Sequence, residues 1–207
     1  MAETIDYYFT SASPFTYLGH QAVRAVAGRH QVQLNPKPVN LMRLWEVSGA
    51  VPLPKRPPVR QRYRLLELQR VAGFRGLPIN VRPKYWPVDP ALADHAVIAL
   101  AASGRDALGF MGRILAAVWA NDENIADEAT IASCLEAEGI EPGPVLQAAR
   151  SGEVAAVRAR NSEEAVAADA VGVPCYVRAG EPFWGQDRIE YLDQALATRR
   201  PPFRAEP

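Results

Sequence analysis

Strand-forming segments occur only near the two ends of this 207-residue chain, and the stretch from about Val39 to Asn161 reads as helices joined by proline-rich loops. Any sheet must therefore be assembled from pieces far apart in sequence, with the helices packed over or beside it. The first piece is Ile5–Phe9, where Ile5, Tyr7 and Phe9 alternate with Asp6 and Tyr8 and belong to the β-branched and aromatic types. Thr10, Ser11, Ala12 and Ser13 lead from it into Pro14, which suits a first helical position because its missing N–H would have no intrahelical partner there. Phe15, Leu18, Ala22, Val23 and Val26 then recur at helical spacing, with Gly28 as the expected stop. Val32–Val39 is a second extended run, since Pro36 and Pro38 forbid helix. Strand, helix, strand is a unit that forms a right-handed crossover in a parallel sheet.

Ser13 falls at the N-cap of that first helix. Unpaired N–H groups and the positive end of the helix dipole converge on such a position, and both favour an anion. Serine is also a preferred cap in its own right, so local sequence alone fits a capping role as well as a binding one.

In the middle, Ser48–Pro58 holds four prolines and must be a loop, either a binding loop made basic by Lys55 and Arg56 or a solvated connector. Val59, Tyr63, Leu66, Arg70 and Phe74 suggest an amphipathic helix ending near Gly73 or Gly76. Leu77–Pro90 is again proline-rich and carries Tyr85 and Trp86, an aromatic pair suited to lining a pocket or plugging the core. Asp89 and Pro90 open an alanine-rich helix, Leu108 to Trp119 continue at helical spacing, and further helices follow to Ala168.

Extended structure returns at Val171–Val177, interrupted by Pro174, and after a turn at Pro182–Trp184; Asp187 then opens a last helix with Ile189, Leu192 and Leu196 facing inward. The order matches an α/β protein with a thioredoxin-like fold split by a large all-helical insertion. Residues 1–38 and 161–207 supply the two parts of the thioredoxin-like domain, and 39–160 the insertion.

Lys plus Arg equals Asp plus Glu at 23 each, which argues against a nucleic-acid surface. No run of about 18 apolar residues suggests a membrane span, and MAETIDYYF lacks the basic and apolar regions of a leader, so the expected compartment is the cytoplasm. Cys134 and Cys175 form no CxxC, and His20, His30 and His95 form no HExxH, so no metal site is expected.

Three motifs carry a family resemblance. SPFTYLGHQAV at Ser13–Val23, VGVPCYV at Val171–Val177 and FWGQDRIEYL at Phe183–Leu192 occur in the order found in glutathione-dependent 2-hydroxychromene-2-carboxylate isomerases and the related kappa-class glutathione transferases. GLP at Gly76, WPVD at Trp86, AVWA at Ala117 and NSEEA at Asn161 extend the likeness from Ile5 to Leu196. The wider superfamily includes disulfide oxidoreductases with CxxC at the head of this helix; here those positions are Ser13, Pro14, Phe15 and Thr16, so no protein dithiol can cycle.

The resemblance implies glutathione as cofactor. Ser13 would hydrogen-bond its sulfur, Val173 beside a cis Pro174 would pair with its cysteinyl backbone, and Trp184, Gly185, Gln186 and Asp187 would bind its γ-glutamyl end. It also implies a homodimer and a small aromatic substrate isomerised by reversible thiolate addition. Within it, Lys55 or Arg56 is the expected partner of the substrate carboxylate, and Tyr85 or Trp86 of its ring. A kappa-like transferase or peroxidase, or a non-catalytic binding protein, would share these features. Where relatives carry Asn in the proline loop this chain has Ala50, and where Thr is frequent after the cis proline it has Cys175.

Overall fold

The computed structural model describes residues 3–205. β1 (Thr4–Phe9), α1 (Pro14–His30) and β2 (Gln33–Pro38) form the expected unit, with β2 parallel to β1 and Tyr7 opposite Pro36. β3 (Cys175–Arg178) lies antiparallel on the other side of β1, and β4 (Glu181–Trp184) pairs antiparallel with β3, giving the order β2-β1-β3-β4. Strands separated by well over a hundred residues of sequence are thus neighbours, and the fold is thioredoxin-like.

β1 is central and buried on both faces. Ile5, Tyr7 and Phe9 pack into the larger core with Leu18 and Val23 of α1, whereas Tyr8 points the other way, toward Val39, Leu44, Ala165, Cys175 and Val177. The alternation in the sequence therefore separates two apolar clusters rather than core from solvent. Both edges of the sheet accept proline at no cost in hydrogen bonds. Gln33 and Val39 donate their N–H groups to Glu3 and Phe9, so by the alternation of a parallel ladder Pro36 and Pro38 face away from β1. Gly185 donates to Pro174, which by the same parity turns Pro182 of β4 outward.

The helices between the strands are α2 (Leu41–Ser48), α3 (Pro58–Arg75), α4 (Ala91–Ala102), α5 (Ala107–Trp119), α6 (Glu128–Glu136), α7 (Pro142–Ala149) and α8 (Gly152–Ala167). α9 (Ile189–Thr198) closes the chain against α1. Phe110, Met111, Ile114 and Trp119 of α5 belong to the same buried cluster as Tyr7 and Phe9, so one apolar core runs from the sheet into the helices. α8 passes position 160 without interruption and packs on both α2 and β2.

Some local expectations shift. α1 runs through Gly28 to His30 and is closed by Gln31 in the left-handed region, φ 57°. α4 begins at Ala91 rather than Pro90, with the Asp89 carboxylate accepting the Ala91 N–H at 2.9 Å. Gln186–Arg188 forms a short 3-10 turn before α9, so Asp187 sits inside that turn instead of capping the helix. α3 forms as expected but buries a different face: Leu68 and Ala72 turn inward, while Tyr63 is 55% and Phe74 78% exposed.

Candidate active site

The site is built at the turn between β1 and α1. Ser13 is the N-cap: its Oγ accepts the Thr16 N–H at 3.2 Å, its own N–H donates to Thr10 O at 3.0 Å, and the residue is buried. Since the oxygen is used as an acceptor from within the helix, the hydroxyl proton remains free to donate to a group lying just beyond the helix N-terminus. The unpaired N–H of the first turn adds a second donor, and the helix dipole favours negative charge at the same spot.

A buried ion pair fixes this turn. Asp94 of α4 is fully buried; its Oδ1 accepts the N–H (2.9 Å) and O–H (2.7 Å) of Ser11, and its Oδ2 accepts the Thr10 O–H (3.2 Å). Arg158 of α8 donates to the same carboxylate at 2.9 and 3.1 Å and also to Val39 O at 3.1 Å. Burial pushes the Asp94 carboxyl above the ordinary aspartate value, while the Arg158 charge and the Ser11 donors pull it back. Sequence reasoning missed this pair. The signal was a lone carboxylate in the apolar helix ALADHAVIALAA, with its partner more than sixty residues away.

Across from Ser13, the Val173–Pro174 peptide is cis. Continuing the β1–β3 register from Tyr8 opposite Cys175 carries Pro174 to Phe9 and Val173 to Thr10, at the start of the same turn. Among the described residues, neither the N–H nor the C=O of Val173 has a hydrogen-bond partner. Cys175, one residue on, is buried, and burial pushes its thiol up to about 12, which makes it a packing group rather than a nucleophile.

The closing motif is tied to this point, since Gly185 (φ 101°) donates its N–H to Pro174 O at 2.8 Å. Gln186 is buried against Gly19 of α1, where an added Cβ would lie 2.9 Å from Gln186 Cβ. Arg75 of α3 holds Gln186 through its backbone O (3.1 Å) and Oε1 (3.3 Å). Trp184 is half-exposed and lies over Gly172, and Asp187 is exposed and pairs with Arg188.

Of the expected substrate contacts, the structure brings two to the head of α1. The Trp86 indole N–H donates to Ala12 O at 3.2 Å, one residue before Ser13, and Arg56 shares a cavity with Phe15 of the first turn. Lys55 is exposed, and Tyr85 is partly exposed beneath Lys84 Nζ, 4.9 Å from the ring centre. No group of three or more His, Cys, Asp or Glu among the described residues could hold a metal ion. His20, deeply buried in α1, donates from Nε2 to Leu108 O at 3.0 Å, which leaves Nδ1 without a partner; burial lowers its pKa to about 4.

A thioredoxin-like sheet facing a cis proline, with Ser13 and Thr16 where a redox dithiol would stand, defines the class: a thioredoxin-fold protein whose own chain supplies no exchangeable sulfur at that turn. The chain belongs to the DSBA-like thioredoxin domain family, whose model matches residues 4–197. It is similar to the 2-hydroxychromene-2-carboxylate isomerase of Sphingobium xenophagum, 25% identical over 202 residues that cover 95% of this chain and 99% of that one. The isomerase of the same name from Pseudomonas putida is 25% identical over 197 residues, with 93% of each chain covered. A solved 2-hydroxychromene-2-carboxylate isomerase superposes with a TM-score of 0.80 at 21% identity, covering 95% of both chains. No helix of the described residues is long and apolar enough to cross a membrane.

Proposed function

We propose that this chain is a glutathione-dependent isomerase acting on a small conjugated aromatic acid such as 2-hydroxychromene-2-carboxylate. The observation that carries the reading is Ser13, whose hydroxyl proton and helix N-terminus converge at the end of a turn that begins at Thr10, the residue the strand register sets opposite the unpaired backbone of Val173. Two features fit a bound tripeptide: the free N–H and C=O of Val173 suit a short strand-like pairing, and the first turn of α1 suits an anion. When bound, glutathione supplies a sulfur nucleophile that the site lacks.

The chain's own part in the reaction is then electrostatic and positional. Ser13 donates a hydrogen bond to negative charge held at the N-terminus of α1, and the helix dipole adds to it, so the ionised form of a thiol is favoured there. Asp94 and Arg158 keep Thr10 and Ser11 in place and so fix the direction of that hydroxyl. Val173 and the loop Trp184–Asp187 orient a ligand along the strand edge, and Trp86 walls the space beside Ala12. Isomerisation about a double bond needs no net oxidant or reductant, consistent with a turn that carries no dithiol.

The test is calorimetric titration with reduced glutathione, followed by an ultraviolet assay of chromene isomerisation with and without it. Saturable binding and turnover only with the tripeptide are expected. Absence of saturation at millimolar levels would overturn the reading. Turnover of a standard electrophile in place of the chromene would move the assignment to a kappa-like transferase.

A further inference from the structure

Beside the head of α1 lies a cavity of about 330 Å³ lined by Phe15, Arg56, Val59, Arg60, Tyr63 and Arg64. Three of its six walls are guanidinium groups. Among the described residues none of these three arginines forms an ion pair: the nearby Glu67 carboxylate is taken by Arg70 at 2.6 Å, and Arg56 spends its Nε on Val51 O at 2.6 Å. The remaining walls are apolar or aromatic.

Arg64 is the member that reaches inward. Its guanidinium carbon lies 5.0 Å from the ring centre of Trp86 and 5.9 Å from that of Trp119, which are 5.7 Å apart. Trp86 is itself bonded to Ala12 O, so this cation is one side chain removed from the turn that presents Ser13. A half-buried arginine held between two indoles gains from their faces, yet its hydrogen-bond donors have no acceptor in the described structure. Burial, with the like charge of Arg56 as a smaller contribution, lowers the Arg64 pKa to about 10.

We infer that this cavity is the acid-binding part of the site: Arg64, backed by Arg60 and Arg56, takes the carboxylate of a planar aromatic substrate whose ring lies against Phe15, Val59 and Tyr63. The planar fork of arginine matches a carboxylate with two parallel hydrogen bonds, and the apolar walls accept a conjugated ring. The ligand is thereby an aryl acid, bound with its conjugated part next to the head of α1. This assignment rests on the proposed isomerase reading only for the reaction that follows binding.

Binding is testable without turnover. Calorimetry with trans-cinnamate and with neutral cinnamamide, in the absence of glutathione, compares a carboxylate with its uncharged isostere. Cinnamate is expected to bind at least about tenfold more tightly, the equivalent of one charged hydrogen bond. Arg64→Met is expected to abolish that preference, Arg64→Lys to restore part of it, and Arg60→Gln, at an exposed position, to reduce it. Equal affinity for the two probes, no saturable cinnamate binding at millimolar levels, or an unchanged preference in Arg64→Met would each overturn the inference. Should Arg64→Met fail to fold, Arg60→Gln and salt decide: a cinnamate affinity insensitive to both would overturn it equally. Since cinnamate has no chromene ring to open and needs no thiol, a failed isomerase assay leaves this result standing, and a failed cinnamate titration leaves the thiol site untouched.

Discussion

Ser13 carries two roles that one substitution separates. Ser13→Ala removes the cap and the hydroxyl donor, so stability is expected to fall by about 1 kcal/mol. Turnover is expected to fall about 10- to 100-fold, the worth of a hydrogen bond to a charged group; stopped-flow titration of the bound thiol, with its pKa raised in the variant, would check the cause. His20 makes a second residue-scale prediction. Its folded pKa is about 4 against 6.5 for the ordinary side chain, so between those values the unfolded chain holds a proton that the folded one lacks. Its contribution to stability is complete above pH 6.5 and is lost as the pH falls toward 4, on the order of 3 kcal/mol in all. Urea melts of wild type and His20→Asn across that window should show a flatter profile for the variant. Cys175 is expected to stay unlabelled by iodoacetamide in the native protein and to react on unfolding, because burial holds its thiol protonated.

At the scale of elements, the β1–α1 turn is held from outside by α4 and α8, and that dependence was not legible in the sequence. Pattern reading sees neighbours along the chain: it found the N-cap, the strand alternation and the helical intervals because each is local. The Asp94–Arg158 pair is a contact between helices, and Arg64 finds its place only when α3 lies across Trp86 and Trp119. The same limit explains α3 itself, whose apolar spacing named a helix correctly and its buried face incorrectly, since Val59, Tyr63, Leu66 and Phe74 are all exposed. Asp94→Asn is expected to cost about 3–5 kcal/mol, because it leaves the Arg158 charge buried without a counter-charge. An Asp94→Leu, Arg158→Met double variant should recover much of that loss in urea melts, while the Thr10–Ser13 turn, deprived of its acceptor, should still bind glutathione less well.

At the scale of the molecule, the sheet and the helices share one core, with Phe110 and Trp119 packed in the cluster that contains Tyr7 and Phe9. Unfolding is therefore expected to be a single cooperative transition, with far-ultraviolet dichroism and tryptophan fluorescence coinciding; two separated transitions would show that the helical part folds on its own. The order of strands and helices was readable from the sequence because strand patterns are confined to its ends, whereas the shared core was not, since it joins residues that no periodicity links. The prolines of β2 and β4 bear on how such molecules behave when crowded. Both rims of the sheet set a ring nitrogen where an incoming strand would seek a donor, which weakens either rim as a template for backbone pairing with another chain. Polymerisation through the sheet is thereby disfavoured at both ends, which leaves contacts between side chains as the more favourable basis for self-association.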